Sequence, residues 1–135
     1  VSAERVLSGA GLVNLYQALC TLDGVAPRPL QPAEVTQAGA ARSDAQCERT
    51  LKLFARLLGN VAGNLVLTLG ARGGVYIGGG IVPRLGDAFD AAEFRRGFEH
   101  KGRFAAYLAA VPGWVITAAH PALIGAARAL DQAPA

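Results

Sequence analysis

The stretch Val75-Tyr76-Ile77-Gly78-Gly79-Gly80-Ile81-Val82-Pro83-Arg84 most constrains what this chain can fold into. A β-branched and aromatic run ends in three glycines and a further apolar pair, the pattern of a buried strand whose carboxyl end opens into a tight turn. Glycine has no Cβ, so a flat or charged ligand can come close to the backbone there, and amides opening a following helix would face an anion. On these residues alone two readings stay open: a strand-to-helix turn that needs positive φ, or a ligand-facing turn. The dinucleotide fingerprint GxGxxG is excluded because Pro83 stands three places after Gly80, and the P-loop GxxxxGKS/T is excluded because the region has no lysine. A strand, a glycine cluster and a helix remain, compatible with an adenosine-binding edge in another α/β architecture.

Around that stretch the chain reads mainly as helices. Ser2-Ala3-Glu4 predicts an N-cap serine opening a short helix through Leu7, with Glu4 in its first turn, where a carboxylate suits the positive end of the dipole. Ser8-Gly9-Ala10-Gly11 reads as a bend, after which Leu12, Leu15, Tyr16, Leu19 and Leu22 recur at helical spacing as far as Asp23-Gly24. Pro32 opens a helix to about Gln37. Ser43 and Gln46 form a capping box for a long helix with Cys47, Leu51, Phe54, Leu58, Val61 and Leu65 on one face, widened by Leu53, Leu57 and Ala62. Gly59 and Gly63, four apart on it, would let another backbone pack close, although a kink or a subunit contact would use the same spacing. Pro83 starts a helix to about Ala88, and Phe94, Phe98, Phe104, Tyr107 and Leu108 mark two more, broken near Lys101-Gly102. Arg95, Arg96, Glu99, His100, Lys101 and Arg103 read as a solvated face. Trp114 to Thr117 is a second strand, Pro121 opens a last helix through Leu130, and Asp131 to Ala135 read as a loose end. Two strands joined by a helical crossover lie parallel, which makes the class α/β. Two are too few for a covered sheet, so either further strands come from a part of the protein outside this chain, which the absence of methionine favours, or the chain holds short strands that the pattern does not show.

Composition limits the functions available. With 135 residues, 52% of them hydrophobic, the chain has enough apolar surface for one folded domain. It contains no methionine, which points to a processed or partial chain. The net charge of +3 is scattered rather than massed, giving no footprint for nucleic acid or an anionic membrane. The longest charge-free run, Phe104 to Ala127, is interrupted by Pro112-Gly113 and His120-Pro121, so no membrane-spanning helix is expected. Cys20 and Cys47 lack metal-type spacing and read as small buried hydrophobes in a reducing, cytoplasmic setting. His100 and His120 have no spaced partners for a metal, and no serine stands in a GxSxG setting, so metalloenzyme and serine hydrolase chemistry lack their parts.

The strings SAERVLSGAGLVNLYQAL, GNLVLTLGARGGVYIGGGIVPRL, FRRGFEHKGRFAAYLAAVP and HPALIGAARAL, in this order, resemble the carboxyl-terminal part of bacterial glucokinases of the non-ROK type. The resemblance covers essentially the whole chain, residues 1–135, as a carboxyl-terminal portion of the large lobe. It implies an actin- and hexokinase-like (ribonuclease H-like) α/β fold, two lobes closing over ATP, of which this is a helix-rich piece with few parallel strands. Carried over, Gly78, Gly79 and Gly80 would line the adenosine side of the ATP site with Ile81 packing nearby, and Glu4 of SAERVLSG would bind glucose hydroxyls, a task suited to a carboxylate that accepts two hydrogen bonds at once.

The family's phosphate loop, its catalytic aspartate and its EGGH-type sugar segment would all precede Val1. No catalytic residue is therefore expected here, and the piece alone should be inactive. Glucose, ATP with Mg2+, a homodimeric partner and a cytoplasmic location are what the resemblance implies, with no metal site of the chain's own. Ala10 stands where proline is common in the family's SGPG. A non-catalytic sugar-sensing or regulatory protein of the same fold, or a dimerisation lobe, is the alternative that an upstream sequence would discriminate.

Overall fold

A 25-residue helix, α3 (Ala45–Leu69), forms the axis of the domain in the computed structural model, which describes residues 2–132. The helix starts at Asp44, whose carboxylate accepts from the amides of Gln46 and Cys47, both at 2.9 Å. Asp44 thus takes the capping role expected of Ser43, whose hydroxyl instead donates to the Ala38 carbonyl. Gly70 closes the helix in the left-handed conformation (φ 63), a position where glycine carries no Cβ penalty. Around α3 pack α1 (Gly9–Leu22), α2 (Pro32–Ala40) and α5 (Ala91–Glu99), with Leu12, Tyr16, Cys20, Val35, Cys47, Phe54 and Phe98 in the shared core. Both cysteines are fully buried, and burial pushes the Cys47 thiol up to about 11, which leaves it an inert packing group.

The long helix turns a different face inward from the one its leucines suggest. Cys47, Leu51 and Phe54 are buried as the periodicity predicts, but further along the buried residues are Ala55, Gly59, Ala62, Gly63 and Val66. Leu58 and Val61 are only partly buried and Leu65 is 56% exposed. Backbone proximity explains the shift: a Cβ on Gly59 would sit 2.0 Å from the Phe94 carbonyl oxygen, and one on Gly63 would sit 2.5 Å from that of Phe98. The two small positions admit the backbone of α5, as their four-residue spacing suggests.

Several ends differ from the sequence reading. Instead of a helix, residues Ala3–Arg5 form one 3-10 turn, and Ser2 makes no side-chain cap. Ser8-Gly9-Ala10-Gly11 is the first turn of α1 rather than a bend, with the Ser8 hydroxyl accepting from the Gly11 amide at 3.0 Å. The predicted helix from Pro32 runs three residues further, to Ala40. After the glycines, α4 (Ile81–Leu85) starts two residues before Pro83 and a 3-10 turn follows at Gly86–Ala88. Arg95 does not belong to a solvated face. It lies over the Phe98 ring and donates to the carbonyls of Val111 (3.0 Å) and Leu108 (3.2 Å), closing the end of α6 (Ala105–Ala109).

The strands are β1 (Val75–Ile77) and β2 (Gly113–Val115), parallel as expected, with Tyr76 opposite Trp114 and their rings stacked at 4.9 Å. Ile77 faces the core while Tyr76 and Trp114 are 67% and 44% exposed. The last helix, α7 (Pro121–Asp131), begins at Pro121 as predicted. Of the expected loose end, Asp131 belongs to α7, and Ala133, Pro134 and Ala135 lie outside the described residues.

The Asp44 cap yields a pH prediction. The Cys47 amide above all, then the Arg28 guanidinium and the Gln46 amide, hold this carboxyl below its ordinary value of 3.8 against the cost of burial. A lowered folded value contributes stability that is present above the ordinary value and lost as pH falls through the folded one. Asp44→Ala should cost about 1 kcal/mol at neutral pH and flatten the fall in melting temperature between pH 5 and pH 2. An identical acid response in variant and parent would remove Asp44 from that role.

Candidate functional site

β1 and β2 end side by side, and beyond their carboxyl ends lies a hollow of about 420 Å3 lined by Gly79, Gly80, Arg84, Thr117, His120 and neighbouring residues. Open α/β sheets take ligands in this place because the loops leaving adjacent strands diverge and expose backbone polar groups. The pairing continues past the strands, with the Ile116 amide donating to the Ile77 carbonyl at 2.9 Å, which fixes Thr117 and Ala118 beside the glycines.

The three glycines do different jobs. Gly79 alone has a positive φ, 104°, so the turn requires it. Gly80 sits at φ −88, which any residue can adopt, and a Cβ there would meet the Arg84 guanidinium 3.1 Å away. Gly78 faces Ile116, whose Cδ1 would be 3.6 Å from an added Cβ. Thus Gly79 and Gly80 line the hollow, Gly78 packs behind it, and Ile81 turns into an adjoining groove between α1, α2 and α4. Because α4 has only five residues, its amides add little fixed positive charge. Arg84 supplies the one full charge among the residues lining the hollow.

Glu4 lines neither cavity. It is exposed on the 3-10 turn Ala3–Arg5, which is held firmly against α1: Asn14 Nδ2 donates to the Arg5 carbonyl at 2.9 Å, and a Cβ on Gly11 would lie 2.6 Å from the Val6 carbonyl carbon. The backbone at Glu4 is thereby fixed while its carboxylate stands in solvent at the amino-terminal end of α1.

Sequence reading missed Arg84, Thr117 and His120. The first two could have been found from the rule that adjacent parallel strands present their carboxyl ends together. His120 carries a conformational sign, φ 53 and ψ 50 directly before Pro121, which the sequence does not reveal. Among the described residues no group of three His, Cys, Asp or Glu could hold a metal ion, and no helix is long and apolar enough to cross a membrane.

Parallel strands joined by a helical crossover, set against a helical layer and ending on a glycine turn above a hollow, define an α/β lobe with a candidate binding hollow. The glucokinase family model matches residues 1–133, and the chain belongs to the glucokinase family. It is 58% identical over 130 residues to a glucokinase of Chromobacterium violaceum and 56% identical over 133 residues to one of Aromatoleum aromaticum. These matches take in 96% and 98% of the chain and 37% and 40% of those relatives, so the chain spans about two fifths of their length. The crystal structure of a glucokinase from an Antarctic psychrotroph superposes with a TM-score of 0.89 at 36% identity, over 98% of this chain and 41% of that one. The fold is accordingly a helix-rich piece of the hexokinase-like α/β architecture.

Proposed function

We propose that this chain is the carboxyl-terminal part of an ATP-dependent glucokinase that forms glucose 6-phosphate, the first step of glycolysis. The observation that carries the reading is the glycine-lined hollow at the carboxyl ends of two parallel strands in a chain of the glucokinase family. In it Gly79 and Gly80 bound the adenosine side of ATP, Gly78 supports the turn from behind, Ile81 packs beside the base, and Glu4 binds glucose hydroxyls. Phosphoryl transfer rests on positioning and on cationic stabilisation of the phosphates. Among the described residues no group of three His, Cys, Asp or Glu could hold a metal ion, so in this proposal the Mg2+ arrives with the nucleotide. A homodimer and a cytoplasmic location belong to the same proposal and rest on the family resemblance.

Gly80→Val in the full-length enzyme tests the nucleotide site. At φ −88 the backbone tolerates the change, so the new methyls act on the hollow and on Arg84 rather than on the turn. ATP affinity should fall roughly tenfold, about 1.4 kcal/mol, with glucose affinity preserved. Equal loss of both would return the turn to a folding role. Supplied with glucose and Mg-ATP, the 135-residue chain alone should form no glucose 6-phosphate in a coupled assay, and measurable turnover would show that the catalytic base lies within it.

A further inference from the structure

Where α3 crosses α5 lies a hollow of about 330 Å3 that shares no residue with the hollow at the glycine turn. Arg56, Leu57 and Asn60 line it from α3, and Arg96, Gly97 and His100 from the end of α5. Arg56 and Asn60 are four apart, as are Arg96 and His100, so each pair stands on one side of its helix. The floor is backbone. A Cβ on Gly97 would lie 2.0 Å from the Arg56 carbonyl oxygen, so the helices touch there and hold the side chains above them at a fixed spacing.

One carboxylate orients both arginines. Glu93 Oε2 accepts from Arg56 Nε at 2.7 Å, and its Oε1 accepts from Arg96 Nη1 at 2.9 Å. The Glu93 side chain is only 16% exposed, whereas those of Arg56 and Arg96 are 48% and 65% exposed and keep N–H groups that Glu93 does not engage. A single carboxylate between two guanidiniums leaves one positive charge in excess. Lys101 brings another: its Nζ donates to Asn60 Oδ1, which leaves the Asn60 amide nitrogen to donate into the hollow. The carboxyl end of α5 sets about half a negative charge near His100, less than that excess.

We infer that the hollow between α3 and α5 binds a phosphate group, free or carried by a small monoester, clamped between Arg56 and Arg96 with the Asn60 amide as a third donor. A phosphate dianion presents several acceptor oxygens in different directions and meets guanidinium forks from two helices at once. Because both arginines are already held by Glu93, little side-chain freedom is lost when the anion enters. The site stands independently of the nucleotide reading of the glycine turn. A ligand that bridges α3 and α5 binds only the folded chain, so it should also raise the melting temperature.

Calorimetric titration of the full-length protein tests the site, with glucose and Mg-ADP present at saturation so that the places proposed for them are filled. Inorganic phosphate and glycerol 2-phosphate are titrated separately, and at least one should bind saturably. Arg56→Gln and Arg96→Gln should each weaken that binding about tenfold, while Arg128→Gln, which removes a charge from α7, should change it less than about twofold. Asn60→Asp, nearly unchanged in shape at an exposed position, sets a carboxylate against the anion and should abolish binding without lowering the melting temperature. Tighter binding of the ester assigns the site to a phosphorylated metabolite, and equal binding assigns it to free phosphate. Absence of saturable binding by both, an equal loss in Arg128→Gln, or undiminished binding in Asn60→Asp overturns the assignment.

Discussion

Gly97→Ala in α5 should cost about 3–5 kcal/mol and lower the melting temperature of the full-length protein by roughly 10 °C or more. The added Cβ would lie 2.0 Å from the Arg56 carbonyl oxygen and 2.9 Å from its carbon, both backbone atoms of α3 that cannot rotate away. From the opposite helix, a Cβ added at Gly59 would lie 2.0 Å from the Phe94 carbonyl oxygen, and one added at Gly63 would lie 2.5 Å from that of Phe98. Relief requires the helices to part along the seam that buries Phe94 (4% exposed) and Phe98 (0%), so the cost includes lost aromatic packing as well as the clash. Helix propensity alone predicts the opposite sign, since alanine is the better helix former by close to 1 kcal/mol. Gly125→Ala in α7 gives the comparison, because nothing lies within 4 Å of a Cβ there. A melting temperature for Gly97→Ala within two or three degrees of the parent would show that α3 and α5 are not packed this closely.

Glu4→Gln should weaken glucose binding by roughly ten- to a hundredfold, about 1.5–3 kcal/mol, the worth of charge-assisted hydrogen bonds to sugar hydroxyls. The competing role, a first-turn carboxylate stabilising a helix dipole by about 0.3–1 kcal/mol, is weakened by the structure. Ala3–Arg5 is a single 3-10 turn with almost no macrodipole, so little stability depends on the charge. The melting temperature of the variant should therefore match the parent closely. The firm backbone around Glu4, tied by Asn14 and by the contact between Gly11 and Val6, suits a ligand carboxylate because less entropy is lost when a sugar binds. A normal glucose dependence in the full-length Glu4→Gln enzyme would remove Glu4 from the sugar site.

By itself the sequence determined where α3 runs, that β1 and β2 are parallel, that a glycine turn follows the first strand, and the family, because these depend on local periodicity, on helical crossovers and on long unbroken strings of residues. Which residues meet was decided by tertiary structure. The leucine stripe of α3 marks residues able to be buried, yet Leu65 stays 56% exposed while Gly59 and Gly63 are covered, since α5 settles where side chains are smallest and its backbone can approach. Asp44 displaced Ser43 as the cap because its carboxylate reaches two amides at once. Thr117 and His120 join Gly79 and Gly80 through the register of β1 on β2. Sites of this kind gather residues about forty places apart in the chain, and their distances follow from how the helices and strands pack, which no local pattern encodes.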